Sequence, residues 1–129
     1  MITDEQKANR KGWIEALRSG NYRQSKNRLC TLTADGPHYC CLGVAYEIFK
    51  DQFGIEAIDY HSMRRYDGES AYLEHPDIQN ALGIIRDGHL LEPIKGRFSL
   101  VTLNDDEFTF KEIADIIEQN ENNFVGPST

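Results

Sequence analysis

Two adjacent cysteines, Cys40 and Cys41, follow a histidine in the stretch PHYCCLGVAY, residues 37–46. A cysteine at the N-terminus of a helix is a potential nucleophile, because the helix dipole lowers the pKa of its thiol. A thiol hydrolase would also need a base and a group to orient it. The candidate bases are His38, His61, His75 and His89, and the candidate orienting residues are Asp87 and Glu92.

The alternative interpretation of Cys40 and Cys41 is structural. Free cysteine is among the most buried residue types, and at a strand-to-helix corner one thiol would face the core and the other the opposite side. We favour this interpretation, because the sequence contains no Cys–His–Asn or Cys–His–Asp signature of a protease family. Cys30, His38 and the two cysteines also lack the spacing of a zinc site. The sequence therefore favours no catalytic residue, keeps Cys40 or Cys41 with His38 or His89 as the alternative, and predicts no metal and no cofactor.

A basic stretch, RSGNYRQSKNR at residues 18–28, is the first candidate ligand site. Arginine offers paired donors to phosphate, lysine a point charge, and a tyrosine ring a face on which a base can stack. The alternative is a solvated loop whose charges pair with acidic residues elsewhere. The candidate ligand-binding residues here are Arg18, Tyr22, Arg23, Lys26 and Arg28.

A second candidate is IDYHSMRRYDGESAYLEH, residues 58–75, where aromatic residues alternate with Arg64 and Arg65. Such a segment could close over a nucleotide as a lid, with Tyr60 or Tyr66 stacking on the base. It could equally be a surface loop with tyrosines packed at its base. The sequence leaves these two alternatives open.

The charge distribution restricts the class of partner. The chain has 129 residues and a net charge of −7, but residues 1–28 carry seven Lys or Arg against three acids, a balance of +4. The other 101 residues carry a balance of −11. A duplex-DNA-binding domain usually presents a basic face, so duplex DNA is disfavoured while a local anion site near the N-terminus is not.

Length and hydropathy indicate one globular domain spanning residues 1–129, with residues 1–3 and 121–129 frayed. No apolar run is long enough to span a membrane, and the N-terminus lacks the apolar segment of a signal peptide. We therefore expect a cytoplasmic protein. Three cysteines, two of them adjacent, predict reduced thiols.

The sequence pattern predicts an α+β domain. An N-terminal helix begins after Thr3, a β-hairpin follows around residues 29–40, and a core helix extends from Cys41 to Phe53. Residues 55–74 show no regular pattern, and Pro76 opens a short helix. Two small strands lie around Gly88 and Gly96, and a C-terminal helical hairpin (SLVTLND and TFKEIADIIEQN) includes a capping box at Thr109.

The blocks ALRSGNYRQ, HYCCLGVAYEIF, SLVTLND and TFKEIADIIE occur in an order that resembles an uncharacterised family of small proteins from bacteriophages and bacteria. The resemblance covers about half of the residues. It implies a phage-encoded, intracellular protein, in the host cytoplasm, and it transfers no catalytic residue.

Together these observations predict a small accessory protein that sequesters a nucleotide-derived or otherwise phosphate-bearing molecule, with a host immune signal as one candidate and counter-defence as the role. A chain of this size has little concave surface, which favours a homo-oligomer. Two alternatives stay open. One is the thiol hydrolase, and the other is an acidic inhibitor that presents its negative surface to a basic host protein.

Overall fold

The computed structural model describes residues 2–127, and within that range the chain forms five helices and seven strands, an α+β domain as predicted. The helices are α1 (Asp4–Arg18), α2 (Cys41–Phe49), α3 (Pro76–Leu82), α4 (Leu100–Asp105) and α5 (Phe110–Gln119). The strands are β1 (Arg23–Gln24), β2 (Cys30–Thr33), β3 (Gly36–Tyr39), β4 (Ala57–Tyr60), β5 (Met63–Tyr66), β6 (His89–Ile94) and β7 (Arg97–Ser99).

The first and last helices begin at capping boxes, in which a threonine hydroxyl and a side chain three residues later satisfy backbone N–H groups reciprocally. Thr3 pairs with Gln6 in α1, and Thr109 pairs with Glu112 in α5, as predicted for the second. The two helices pack together through apolar faces that include the buried Trp13. Their contact closes one side of the core.

The main sheet has five strands in the order β1-β3-β2-β5-β4, and all its pairs are antiparallel except β1 with β3. Helix α2 covers one face of this sheet. The ring of Tyr46 in α2 stacks on that of Tyr66 in β5, with centroids 4.8 Å apart. On the covered face Cys30, Tyr39 and Tyr66 are buried, whereas Asp59 on the edge strand is exposed.

The second sheet contains only β6 and β7, joined by a two-residue turn. Lys95 and Gly96 both have positive φ, 49° and 78°, as a type I′ hairpin turn requires. Leu90 of β6 contributes to the core, and the same strand also pairs with the C-terminal segment. Across residues 2–127, no helix combines the length and apolar character needed to cross a membrane.

The structure corrects three expectations about elements. Residues 55–74 contain the hairpin of β4 and β5 and are not an irregular loop. Helix α2 ends at Phe49, and turns connect it to Gly54, whose φ is 64°. Cys40 is the N-cap of α2 and lies outside β3.

The described part of the C-terminal segment contacts the rest of the fold. Phe124 is buried and forms a β-bridge with Leu90, and the N–H of Val125 donates to the carbonyl of His89. At the other end, the N–H of Ile2 donates to the side chain of Asn122. Residues 1, 128 and 129, also expected to fray, lie outside the described range.

Candidate ligand-binding site

The face of the main sheet opposite α2 is uncovered. Because side chains of a strand alternate between faces and paired residues share a face, the register assigns nine strand residues to it. None of the nine is buried. We call this set the open face: Arg23, Thr31, Thr33, Gly36, His38, Ile58, Tyr60, Met63 and Arg65.

One cross-strand row runs the full width of the open face, with one residue from each strand. The pairings Arg23 with His38, His38 with Thr31, Thr31 with Met63, and Met63 with Tyr60 define it. Tyr60 is 59% exposed and ends the row at the edge strand β4. The row therefore offers an arginine at one end and an accessible aromatic ring at the other.

The open face is cationic in a chain that is strongly acidic. It carries two arginines and a histidine, and none of its nine residues is acidic. Arg23 donates to the backbone carbonyl of Asp35 at 3.2 Å, which leaves its positive charge uncompensated. Among residues 2–127, no carboxylate lies within ion-pair distance of Arg23, Arg28 or Arg65.

Arg28 adds a third charge beside this face. Its Nη1 donates to Oγ of Ser62 at 3.2 Å, in the turn between β4 and β5. The turn also holds His61, whose ring lies edge-on against that of Tyr60, with centroids 4.2 Å apart. Arg28 thus contacts the turn next to Tyr60, and Arg65 pairs with Ile58, two residues before Tyr60 on β4.

The basic stretch of residues 18–28 does not converge on one site. Arg18 forms ion pairs with Asp115 and Glu118 at 2.6 and 3.0 Å, and those hydrogen bonds raise the pKa of its guanidinium. Lys26 pairs with Glu107 at 3.0 Å. Tyr22 is half-buried and forms a T-shaped pair with Tyr39, with ring centroids 5.5 Å apart. Of this stretch, Arg23 lies on the open face and Arg28 contacts the turn between β4 and β5.

Arg64 and Tyr66 point to the covered side of the sheet, because they alternate with Met63 and Arg65. Arg64 pairs with Asp59 at 2.7 Å and with Glu47 of α2 at 3.3 Å. Tyr66 is fully buried, and its hydroxyl donates to the same carboxylate of Glu47. Both residues therefore hold α2 on the sheet, and Tyr66 has no exposed ring face for a base.

The ionisation of Glu47 makes the contact between α2 and the sheet depend on pH. Burial alone would raise the pKa of its carboxyl, but hydrogen bonds from Lys50 and Tyr66 and the charge of Arg64 outweigh burial and lower it. A lowered pKa in the folded state stabilises the fold above the pKa of the unfolded state, and the effect is lost as the pH falls through the folded-state pKa.

We expect Glu47→Gln to lower the free energy of unfolding by about 1–3 kcal/mol at pH 7, because the amide cannot compensate the charge of Arg64. The difference from wild type should shrink as the pH falls below the ordinary glutamate range. Urea unfolding at pH 7 and pH 3.5 measures it. A difference that stays constant between the two pH values would contradict the assignment.

A buried hydrogen-bond cluster joins β1, α2 and α4. Oδ1 of Asn104 accepts from the backbone N–H of Cys41 at 3.2 Å and from Nε2 of Gln24 at 2.9 Å. Its Nδ2 donates to the carbonyl of Ser25 at 2.8 Å. Asn104 is only 1% exposed. Buried hydrogen bonds therefore connect the three sequence segments around Gln24, Cys41 and Asn104, and this connection is structural.

Both thiols of the cysteine pair are buried, which corrects the expectation that one faces away from the core. Sγ of Cys40 accepts the N–H of Gly43 at 3.4 Å as the cap of α2, and Sγ of Cys41 donates to the carbonyl of Leu100 at 3.8 Å. Burial raises the pKa of Cys40 to about 12 and that of Cys41 well above its usual value. Burial therefore disfavours the thiolate that a nucleophile would need.

The histidines give the thiol-hydrolase alternative no support. Within residues 2–127, no hydrogen bond joins a histidine to Cys40 or Cys41. His38 lies on the open face, whereas His89 lies 3.9 Å from Asp87 in a cleft of about 330 Å³ that Tyr72 and Arg86 also line. The part of the chain described here holds no group of three His, Cys, Asp or Glu side chains suited to a metal ion.

Thiol labelling tests the structural interpretation directly. We expect iodoacetamide at pH 7 to leave all three cysteines of the native protein unmodified, since all are buried, and to label all three in urea. A Thr33→Cys variant is the positive control, because position 33 is exposed and its cysteine should label in the native state. Rapid labelling of Cys40 or Cys41 in native protein, read by mass spectrometry, would restore the hydrolase.

A groove of about 380 Å³ runs between α1 and α5, away from the open face. It is lined by Ile14 and Ile117 and by charged residues such as Lys7 and Glu121, which approach each other to 3.5 Å. None of the predicted ligand-binding cations except Arg18 lies on these two helices.

Sequence reasoning selected Arg23, Arg28 and Arg65 but assigned them to two unrelated loops. It did not select Thr31 or Met63, because neither residue type signals binding alone. Period-2 alternation across IDYHSMRRY would have separated Arg65 from Arg64, had the segment been recognised as a hairpin.

Comparison with known proteins identifies a family for this chain. The model of a family described as "Domain of unknown function (DUF8296)" matches residues 5–121. Neither the curated proteins nor the solved structures contain a significant match. Since the matched range is well over half of the chain, the protein belongs to the DUF8296 family.

Proposed function

We propose that this protein is a non-catalytic binding protein for a nucleotide-derived, phosphate-bearing small molecule, and that the ligand lies on the open face. The observation that carries the proposal is an uncovered sheet face with Arg23, Arg65 and an exposed Tyr60 and with no acidic residue, in a chain of net charge −7. Arginine binds phosphate oxygens through paired N–H groups, and a tyrosine ring stacks on a base.

The remaining residues of the face suit the same ligand. Ile58, 49% exposed, and Met63 offer apolar contact beside Tyr60, and Thr31 supplies a hydroxyl at the centre of the row. Nε2 of His38 is buried without a hydrogen-bond partner among the described residues. A ligand that reorients this imidazole could satisfy that nitrogen, because a buried unpaired polar atom costs free energy.

The biological part of the proposal rests on the resemblance to phage and bacterial proteins. We propose that the protein acts in the cytoplasm of an infected bacterium, where it sequesters a host immune signal of this chemical class. Sequestration requires tight binding without turnover. Assembly into a homo-oligomer would enclose a ligand that the flat face of one protomer leaves exposed.

Calorimetric titration with AMP, ATP and the linear dinucleotide pApA tests the proposal. We expect at least one of them to bind with an affinity that falls as salt rises. Arg65→Ala should weaken that binding about 10- to 100-fold, the loss expected for a charge-assisted hydrogen bond.

Arg18→Ala is the matched control, because Arg18 belongs to the predicted basic stretch but is paired with Asp115 and Glu118. It should leave the affinity within about twofold of wild type, as expected for an exposed pair on another surface. The proposal fails if none of the three compounds binds at millimolar concentration, or if Arg18→Ala weakens binding as much as Arg65→Ala does.

A further inference from the structure

The arginines at the open face lie in two separate groups. Arg23 lies on β1 at one side, and Arg65 lies on β5 at the other, with Arg28 beside the adjoining turn. The uncharged Thr31 and Met63 lie between the groups. At about 4.8 Å between neighbouring strands, the row from Arg23 to Tyr60 is about 19 Å long.

This arrangement distinguishes between kinds of phosphate-bearing ligand. A nucleoside triphosphate concentrates its charge in one contiguous group, and a nucleoside monophosphate has a single charged group next to its sugar. Either one would use the cations on one side of the open face and leave the other side unused. A chain of nucleotides instead distributes its phosphates at intervals, with neutral sugars and bases between them.

Resting on the proposed function, we propose that the open face binds a short single-stranded oligonucleotide that crosses the sheet from β4 to β1. One base stacks on Tyr60, a phosphate contacts Arg65 and Arg28, and a later phosphate contacts Arg23. Open sheets of four strands hold two or three stacked bases in other single-stranded-RNA-binding domains, so the width is sufficient.

The length of the ligand is the quantity to measure. Fluorescence anisotropy with 5′-labelled oligoriboadenylates of one to eight nucleotides should show affinity that rises with length and reaches a plateau at about five to six nucleotides, since a stacked strand advances about 3.4 Å per nucleotide along a row of about 19 Å. Unlabelled ATP should compete no better than AMP does.

Two variants assign the ends of the ligand. Tyr60→Ala should weaken binding at every length by about five- to 100-fold, the range measured for base stacking on an aromatic residue. Arg23→Ala should leave the affinity for the shortest ligand that binds unchanged. It should lower the affinity for longer ligands about tenfold. Lys26→Ala is the matched control, because Lys26 is paired with Glu107. It should leave the affinity unchanged for ligands of every length.

The outcomes separate this inference from the function on which it rests. Binding that is equal for AMP and for all longer ligands, or a loss with Arg23→Ala that is the same at every length, overturns the oligonucleotide and leaves nucleotide binding in place. Stronger competition by ATP than by pApA overturns it in favour of a polyphosphate. No binding at any length, with ATP and AMP also inactive, removes both proposals.

A 20-nucleotide oligoadenylate with both ends blocked distinguishes two possible ligands, a segment within a longer single strand and a free short oligonucleotide. Affinity per site equal to that of the plateau length identifies segments of longer single strands as ligands. A clear loss identifies free short oligonucleotides with accessible ends. Both results require the length dependence described above and therefore support the proposal.

Discussion

Gly43→Ala is expected to destabilise this protein strongly, because the added methyl group has the shortest contact of a Cβ built at any of its glycines. A Cβ at position 43 would lie 1.8 Å from the carbonyl oxygen of Leu29 and 2.7 Å from its carbonyl carbon. That oxygen also accepts the N–H of Cys40 at 3.2 Å, so the clash would separate α2 from the segment leading into β2. We expect a loss of about 3 kcal/mol or more in the free energy of unfolding.

Gly12→Ala is the matched control for this substitution. Gly12 also lies within a helix, but a Cβ there meets no atom within 4 Å. Alanine should raise stability by about 0.5–1 kcal/mol, because it loses less conformational freedom than glycine on entering a helix. Urea unfolding followed by fluorescence of Trp13, the single tryptophan, measures both variants. A Gly43→Ala protein within 1 kcal/mol of wild type would show that α2 can shift away from Leu29 at low cost.

The second large effect is expected at Arg10, which is only 5% exposed. Its guanidinium donates to the carbonyls of Leu82 and Glu121 at 2.7 Å and of Gly83 at 3.3 Å, and it lies over the ring of Phe124 at 5.0 Å. Burial lowers its pKa to about 10, which still leaves it charged at neutral pH. Arg10 therefore connects α1 to the end of α3 and to the C-terminal segment.

Arg10→Met should lower the free energy of unfolding by about 2–4 kcal/mol, because the variant keeps an apolar stem but leaves three carbonyls without their donor. Lys11→Ala, at the exposed neighbouring position, should change it by no more than about 0.5 kcal/mol. Hydrogen exchange adds a local measurement, since the amide of Val125 should lose protection in Arg10→Met. Retained protection together with wild-type stability would contradict the bridging role.

Local sequence signals predicted the helices well. Thr109 with Glu112 and Pro76 after His75 mark helix starts that depend only on neighbouring residues, and the structure confirms both. The hairpin of β2 and β3 was also predicted, because residues 29–33 alternate between apolar and polar and a turn signal follows.

The hairpin of β4 and β5 escaped prediction for a physical reason. Its covered face carries Arg64 and Asp59, whose charges are compensated by each other and by Glu47, and its open face carries polar and apolar residues together. No alternation of hydrophobicity therefore remains in the sequence. A charged residue can occupy the covered side of a sheet only where residues distant in the chain compensate its charge.

The sequence by itself determined the class of fold, the helix starts, and the excess of positive charge near the N-terminus, because each depends on composition or on residues within one turn of each other. Only the tertiary structure decided which cations stay uncompensated. Arg18 and Lys26 meet carboxylates 81 or more residues away, whereas Arg23 and Arg65 share an uncovered sheet face through strand pairing. Such long-range pairing leaves no local pattern that a reader of the sequence could detect.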